Sequence, residues 1–406
     1  MMMKYHTTTL PNGLRVVHLP STSPVVYCGI AVAVGSRHEA DGEEGLAHFC
    51  EHTTFKGTRR RTALQILNSL ESVGGDLNAF TNKEDTVFYA AIQREHFMRA
   101  VDLLTDMVFN SRYPQHEIEH EVDVVCDEIE SYNDSPAELI YDEFENMLFQ
   151  GHPLGHNILG TPERVRSFTS ADALRFTSRH YRPERAVFFV HGDIDFNRLV
   201  ASPKLRDISS GQGLPTDDAT LHSPLATPAV ADERHHQAHV MLGCRTFSRN
   251  DERRTALYLL NNILGGPAMN ARLNLALRER RGLVYTIEST MATYSDTGCW
   301  SVYFGCDHSD VKRCLRLVRR ELDRLMQNPL SDRQLTAAKR QLRGQLAIAC
   351  DNHEQYALDV AKNFLHHGSP MGVEELLERV SAVSSSEMQD VAQQLFAPER
   401  LQLLTL

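Results

Sequence analysis

The chain has 406 residues, enough for two to four domains at about 100–200 residues each, with two the simplest reading. Its 42 basic and 53 acidic residues leave a net charge of −11, which argues against a nucleic-acid partner held through phosphate contacts. Hydrophobic residues are 42% and charged residues 23%, the balance of a folded globular chain and not of a disordered one, and no apolar run reaches the length of a membrane span.

The first residues, MMMKYHTTTLPNG, lack the apolar core of a signal peptide and read as the approach to a strand. With no leader and no span, a cytoplasmic location is expected. LPNGLRVVHLP (10–20) and YCGIAVAVGS (27–36) alternate as strands do. GLAHFCEHTTFKGT (45–58) is apolar on more than one side and predicts a buried helix. TALQILNSLESVGG (62–75) predicts an amphipathic helix ended by Gly74 and Gly75. A strand at 85–93, a helix at 95–109 and a long helix from Pro114 to about Tyr132 follow. AVFFVHGDID (186–195) closes the first half as a strand.

A stretch rich in Pro, Gly, Ser and Asp then reads as a linker. Beyond it the same order returns: a strand at 236–247, a helix at 255–266, strand and helix at 297–322, and a long helical region at 331–364. The chain therefore reads as two copies of a unit of about 200 residues. The expected division is 1–204, a linker at 205–228, and 229–406. Strands interspersed with helices predict an α+β fold with mainly antiparallel sheets.

Eight scattered cysteines without a C-x-x-C pair suit reduced thiols, while twenty histidines invite a search for a metal site. The sharpest string is His48-Phe49-Cys50-Glu51-His52. On a helix, His48 and His52 stand at i and i+4 on one face, where two imidazoles can hold one zinc. Glu51 flanks that face and is placed to take a proton from a zinc-bound water, the H-x-x-E-H order of inverzincins. Two histidines and a glutamate in an apolar helix turn are costly without a partner.

His116-Glu117-Ile118-Glu119-His120 is a rival, matching H-E-x-x-H. Periodicity argues against it. Ile118, Val122, Val125 and Ile129 form the apolar stripe of that helix. His116, His120, Asp123 and Asp127 recur on a face turned by about 200° and should be solvated. Zinc with two histidines needs one more protein ligand, and Glu121 or Glu128, beside the apolar stripe, could supply it.

HFCEHTTFKGT, VGGDLNAFT (73–81) and EVDVVCDEIESYNDSP (121–136) together resemble the pitrilysin/insulysin metallopeptidases, in the branch of the mitochondrial processing peptidase. GHPLGHNILGT (151–161) and LRERRGLVYTI (277–287) are also similar, so the resemblance spans nearly the whole chain. It implies two homologous α+β domains and a third zinc ligand at Glu128, 76 residues after His52. It implies that Glu121 supports the ligands from behind, with one zinc per chain. Asn78 and Ala79 would lie on an exposed strand that pairs with substrate backbone. Arg278 and Tyr285 would position the peptide and stabilise a developing oxyanion. The second half carries Leu259-Leu260-Asn261-Asn262 where the first has its histidines, so only the first unit would be catalytic. The remaining histidines, among them His152 and His156, match no such spacing and read as surface or loop residues.

The function expected is that of a zinc endopeptidase on peptides or unfolded polypeptides, working as a homodimer or with a homologous subunit. The alternative is a non-catalytic scaffold or partner subunit of the same fold. Such relatives typically lose part of H-x-x-E-H or the distal glutamate, and none is lost here.

Overall fold

The computed structural model describes residues 5–209, 237–369 and 372–406. Most of the expected linker lies outside the described residues. The chain forms two compact units, each built around its own sheet.

The sheet of the first unit has six strands. They are β1 (His6–Thr9), β2 (Arg15–Pro20), β3 (Val25–Val32), β4 (Asp76–Thr81), β5 (Thr86–Gln93) and β6 (Ala186–Gly192). The order is β1-β2-β6-β3-β5-β4. Only β2 and β6 run parallel; every other pair is antiparallel. The second unit holds β7 (Ala238–Thr246), β8 (Val284–Thr293), β9 (Gly298–Cys306) and β10 (Gln402–Thr405), in the order β10-β7-β9-β8 and antiparallel throughout. Four strands of the first sheet, β6-β3-β5-β4, have the same succession as β10-β7-β9-β8. The expected internal repeat is therefore present as topology, and the α+β reading holds.

The helices repeat too. α1 (Leu46–Thr54), α2 (Ala63–Glu71), α3 (Phe97–Asn110), α4 (Gln115–Asn133) and α5 (Pro136–Leu148) follow in the first half. In the second half, Arg254–Gly265, Val311–Gln327, Asp332–Ala349 and His353–His367 answer α1, α3, α4 and α5. The long helical region expected at 331–364 is thus two helices. Asn352 separates them, its side chain accepting from Gln355 N as an N-cap.

The units interleave along the sequence, which a division at 204 and 229 does not anticipate. α5 belongs to the second unit, while helix His353–His367 belongs to the first. α5 packs on β7, β9 and β10, and His353–His367 on β2, β3 and β6. Each sheet thus has a helix on its second face. That explains why β6 and β9 are buried along their whole length and lack the alternation of a half-solvated strand. His353–His367 also reaches the turn between β4 and β5. There His366 Nε2 lies 2.9 Å from Asp85 Oδ2, and Asn82 Nδ2 donates to Asp85 Oδ1 at 2.7 Å. Among the described residues no helix is long and apolar enough to cross a membrane.

Two histidines packed near α1 are held neutral. His38 Nδ1 accepts from Gly35 N at 3.2 Å, and His180 Nε2 accepts from Arg179 Nε at 2.8 Å. Their rings meet edge to face, 6.0 Å apart. Burial, with Arg185 nearby, pushes His38 down to about 4. Burial, then Arg179 and Arg185, pushes His180 down to about 2. Both values lie below the unfolded value of about 6.5. Above pH 6.5 neither state carries these protons and their full contribution is present. As pH falls, the unfolded chain binds them first, so stability is lost. Each should cost up to about 1.4 kcal/mol per pH unit between pH 6 and 5. Urea unfolding at several pH values should show that slope, and His38→Gln with His180→Gln should flatten it.

Candidate metal centre

Helix α1 starts at a glycine because nothing else fits. Gly45, its N-cap, has φ 93, and a Cβ there would lie 2.7 Å from Leu159 O. Gly160, at φ 71, answers it: a Cβ there would lie 2.5 Å from Glu44 O. The 151–161 segment thus packs directly on the start of α1. The free N–H groups of that helix end are met by Glu39, whose carboxylate accepts from Gly45 N at 3.0 Å and Ala47 N at 2.7 Å. His156 Nε2 lies 2.9 Å from Glu39 Oε2. His156 is therefore no solvated loop histidine; it steadies the carboxylate that caps α1.

Leu46, Ala47, Phe49 and Cys50 are fully buried and fix the rotation of α1. That rotation brings His48 and His52 together, their rings edge to face with centroids 4.5 Å apart. Glu121 and Glu128 take different positions around these rings. Glu128 faces both rings: Oε2 is 3.3 Å from His52 Nε2, and Oε1 is 3.8 Å from His48 Nε2. One ligand atom from each of His48, His52 and Glu128 falls within 4.8 Å of the others. Glu121 sits behind His52, with Oε1 2.9 Å from Nδ1, and its other oxygen meets Lys56 Nζ at 2.5 Å. Glu121 is buried, whereas the Glu128 side chain is 43% exposed.

The rival string behaves as its periodicity requires. His116, His120, Asp123 and Asp127 are exposed, while Ile118, Val125 and Ile129 are buried. His116 and His120 join no cluster of three potential metal ligands among the described residues.

The electrostatics separate the two imidazoles. Burial drives His48 down to about 4, helped by His52 and opposed by Glu128. For His52 burial acts in the same sense, but hydrogen bonds to Glu121 and Glu128 outweigh it and lift the group to about 9. Burial raises the Glu51 carboxyl, and a hydrogen bond from Thr81 opposes that rise. Thr81 Oγ1 donates to Glu51 Oε2 at 2.7 Å.

The donor set fits a metal. Two nitrogens and a carboxylate oxygen suit zinc, and bonds of about 2.0–2.2 Å at tetrahedral angles set donors about 3.3–3.6 Å apart. The 3.3 and 3.8 Å spacings bracket that range. Glu121 on His52 Nδ1 is the carboxylate–imidazole pairing that orients a metal-bound histidine.

Asn78 and Ala79 lie on β4, the edge of the six-stranded sheet. Asn78 is exposed and Ala79 partly so. Arg278 and Tyr285 belong to the second unit, both exposed, Arg278 in a π-helical turn (Asn274–Glu279) and Tyr285 on β8. In that unit Asn261 Oδ1 accepts from Trp300 Nε1 at 3.1 Å and from Ser289 Oγ. The position answering the histidines of α1 is there a strut between strands.

Sequence reasoning did not single out Lys56, Thr81, Glu39 or His156. Lys56 and Thr81 had a signal. Lys56 stands four residues after His52, and Thr81 ends the VGGDLNAFT string. Glu39 and His156 are 117 residues apart and meet only in the fold.

The chain is similar to known proteins. The profile of Insulinase (Peptidase family M16) matches residues 15–162, and that of the Peptidase M16 inactive domain matches residues 167–342. An uncharacterized zinc protease of Streptomyces coelicolor is 34% identical over 399 residues, covering 95% of this chain and 86% of its own. The chain belongs to the M16 peptidase family. The uncharacterized zinc protease YmxG of Bacillus subtilis is 31% identical, over 96% of this chain and 95% of its own. In fold, this M16 chain is similar to a protease from Helicobacter pylori, with a TM-score of 0.88 at 20% identity over 100% of this chain and 99% of that one.

Proposed function

We propose that this chain is a zinc-dependent endopeptidase acting on peptides or unfolded polypeptides. The observation that carries the reading is the convergence of His48, His52 and Glu128 on one point, with Glu51 beside it on the same helix turn. The names of the zinc protease relatives agree with it. His48 Nε2, His52 Nε2 and a Glu128 oxygen would hold one zinc per chain, and Glu121 would hold His52 in place from behind. Zinc, when bound, supplies an acidified water and polarises the scissile carbonyl. Glu51 takes that water's proton and delivers it to the leaving amine.

β4 offers its open edge to an extended substrate backbone at Asn78 and Ala79. Such pairing reads backbone shape more than side chains, which suits unfolded polypeptides. Arg278 and Tyr285 position the peptide and meet the developing oxyanion. The scaffold alternative calls for a lost ligand or base, and all four residues are present.

Glu51→Gln should abolish peptide cleavage while zinc stays bound, because Glu51 is a base and not a ligand. Cleavage of a quenched peptide with metal analysis of the same sample checks it. Zinc loss with the fold intact would contradict the assignment.

His116→Ala with His120→Ala should leave zinc content and activity nearly unchanged. Glu128→Gln should weaken zinc binding strongly. The reverse result would move the site to the rival string.

The active form is a homodimer with shared sites. One chain supplies His48, Glu51, His52 and Glu128, and the other supplies Arg278 and Tyr285. A two-fold dimer then has two equivalent composite sites. Glu51→Gln and Tyr285→Phe chains, each nearly inactive alone, are co-expressed. With random pairing half the dimers are mixed, and each mixed dimer has one intact site, so about one quarter of wild-type activity should return. No recovery, in a sample shown to contain mixed dimers, would place both residues in one chain's site.

A further inference from the structure

We infer that the Thr81 hydroxyl is the positioning group for Glu51, and that β4 thereby both aims the base and presents the edge that substrate pairs with. The inference rests on the reading of Glu51 as the general base. A glutamate carboxylate has three side-chain torsions, the last of them broad, so its oxygens wander unless something holds them. Among the described residues Thr81 is the side chain that hydrogen-bonds Glu51, at 2.7 Å to Oε2.

The protons in this corner are committed. Thr86 Oγ1 donates its single proton to Val34 O at 2.9 Å. Thr81 Oγ1 lies 3.5 Å from Thr86 Oγ1 and cannot be served as donor from there without breaking that bond. An ionised carboxylate only accepts, so the Thr81 proton belongs to Glu51 Oε2. That oxygen is pinned, and Oε1 is left as the one that takes a proton from water.

Thr81 is itself rigid. It is β-branched, and its backbone is paired with Thr86 at the end of the β4–β5 ladder. The turn beyond it is tied by Asn82 and His366 to Asp85. Asn78 and Ala79 lie three and two residues earlier on the same strand. Strand pairing and base placement therefore share one stiff element. A base displaced by about 1 Å loses on the order of a hundredfold in rate, which is what such a contact can protect.

The test compares Thr81→Val, which keeps the shape and removes the hydroxyl, with Thr81→Ser, which keeps the hydroxyl. Thr81→Ala stands in for the valine variant if that fails to fold. In the zinc-loaded full chain, Thr81→Val should lower kcat by roughly 10–100-fold with KM and zinc content unchanged. Thr81→Ser should keep most of the wild-type kcat. A purely structural threonine would lower stability in both variants and leave kcat per folded, zinc-loaded chain unchanged. Wild-type kcat in Thr81→Val, or an equal loss in Thr81→Ser, overturns the inference. Glu51→Gln is measured alongside. If it is inactive while Thr81→Val is fully active, the base stands and only the positioning role falls. If Glu51→Gln is itself active, the base assignment falls first.

Discussion

Two imidazoles and a carboxylate sit on a helix turn whose other side chains are fully buried. That is the constraint around which the first unit is arranged. Buried polar groups call for partners, and here they come from four stretches of chain outside α1. Glu121 and Glu128 come from α4, Thr81 from β4, and Glu39 with His156 from the segments at the start of α1. Moving α1 by half a turn would strand all of them. The site geometry and the packing of α1 are therefore one problem, solved by the apolar contacts of Leu46, Ala47, Phe49 and Cys50.

The two units show what the same topology does without that demand. Both have four strands in the same succession, and a helix answers α1 in each. In the second unit the equivalent turn carries Asn261, which is spent on Trp300 and Ser289. An amide can satisfy two strand neighbours and needs no ion. Conversely, Tyr285 is left 61% exposed on β8.

Much of this was legible in the sequence because local spacing encodes local geometry. His48 and His52 at i and i+4 had to share a face. Ile118, Val125 and Ile129 had to turn His116 and His120 to solvent. The internal repeat was readable because strand and helix patterns recur in the same order. What spacing could not separate was Glu121 from Glu128. Seven residues is close to two helical turns, so both lie on nearly the same line of α4. Which of them reaches the imidazole Nε2 atoms and which reaches Nδ1 depends on the crossing of α4 over α1, a tertiary fact. The interchange of α5 and His353–His367 between units was likewise invisible. A helix has the same amphipathic pattern whichever sheet it covers.

The interchange bears on how the first unit holds its shape. Helix His353–His367 covers β2, β3 and β6, and through His366 and Asp85 it holds the turn that follows Thr81. Glu51 is thus linked, through Thr81 and the turn that follows it, to a contact between Asp85 and His366, 281 positions apart. An isolated first half, cut before the linker, would lack that helix. It would expose the second face of β6, seven buried residues long, and release the turn that anchors Thr81. The His48–His52 string would still be present in such a fragment. The surroundings that aim its glutamate would not, so the second half contributes to the site of the first even where it offers no ligand.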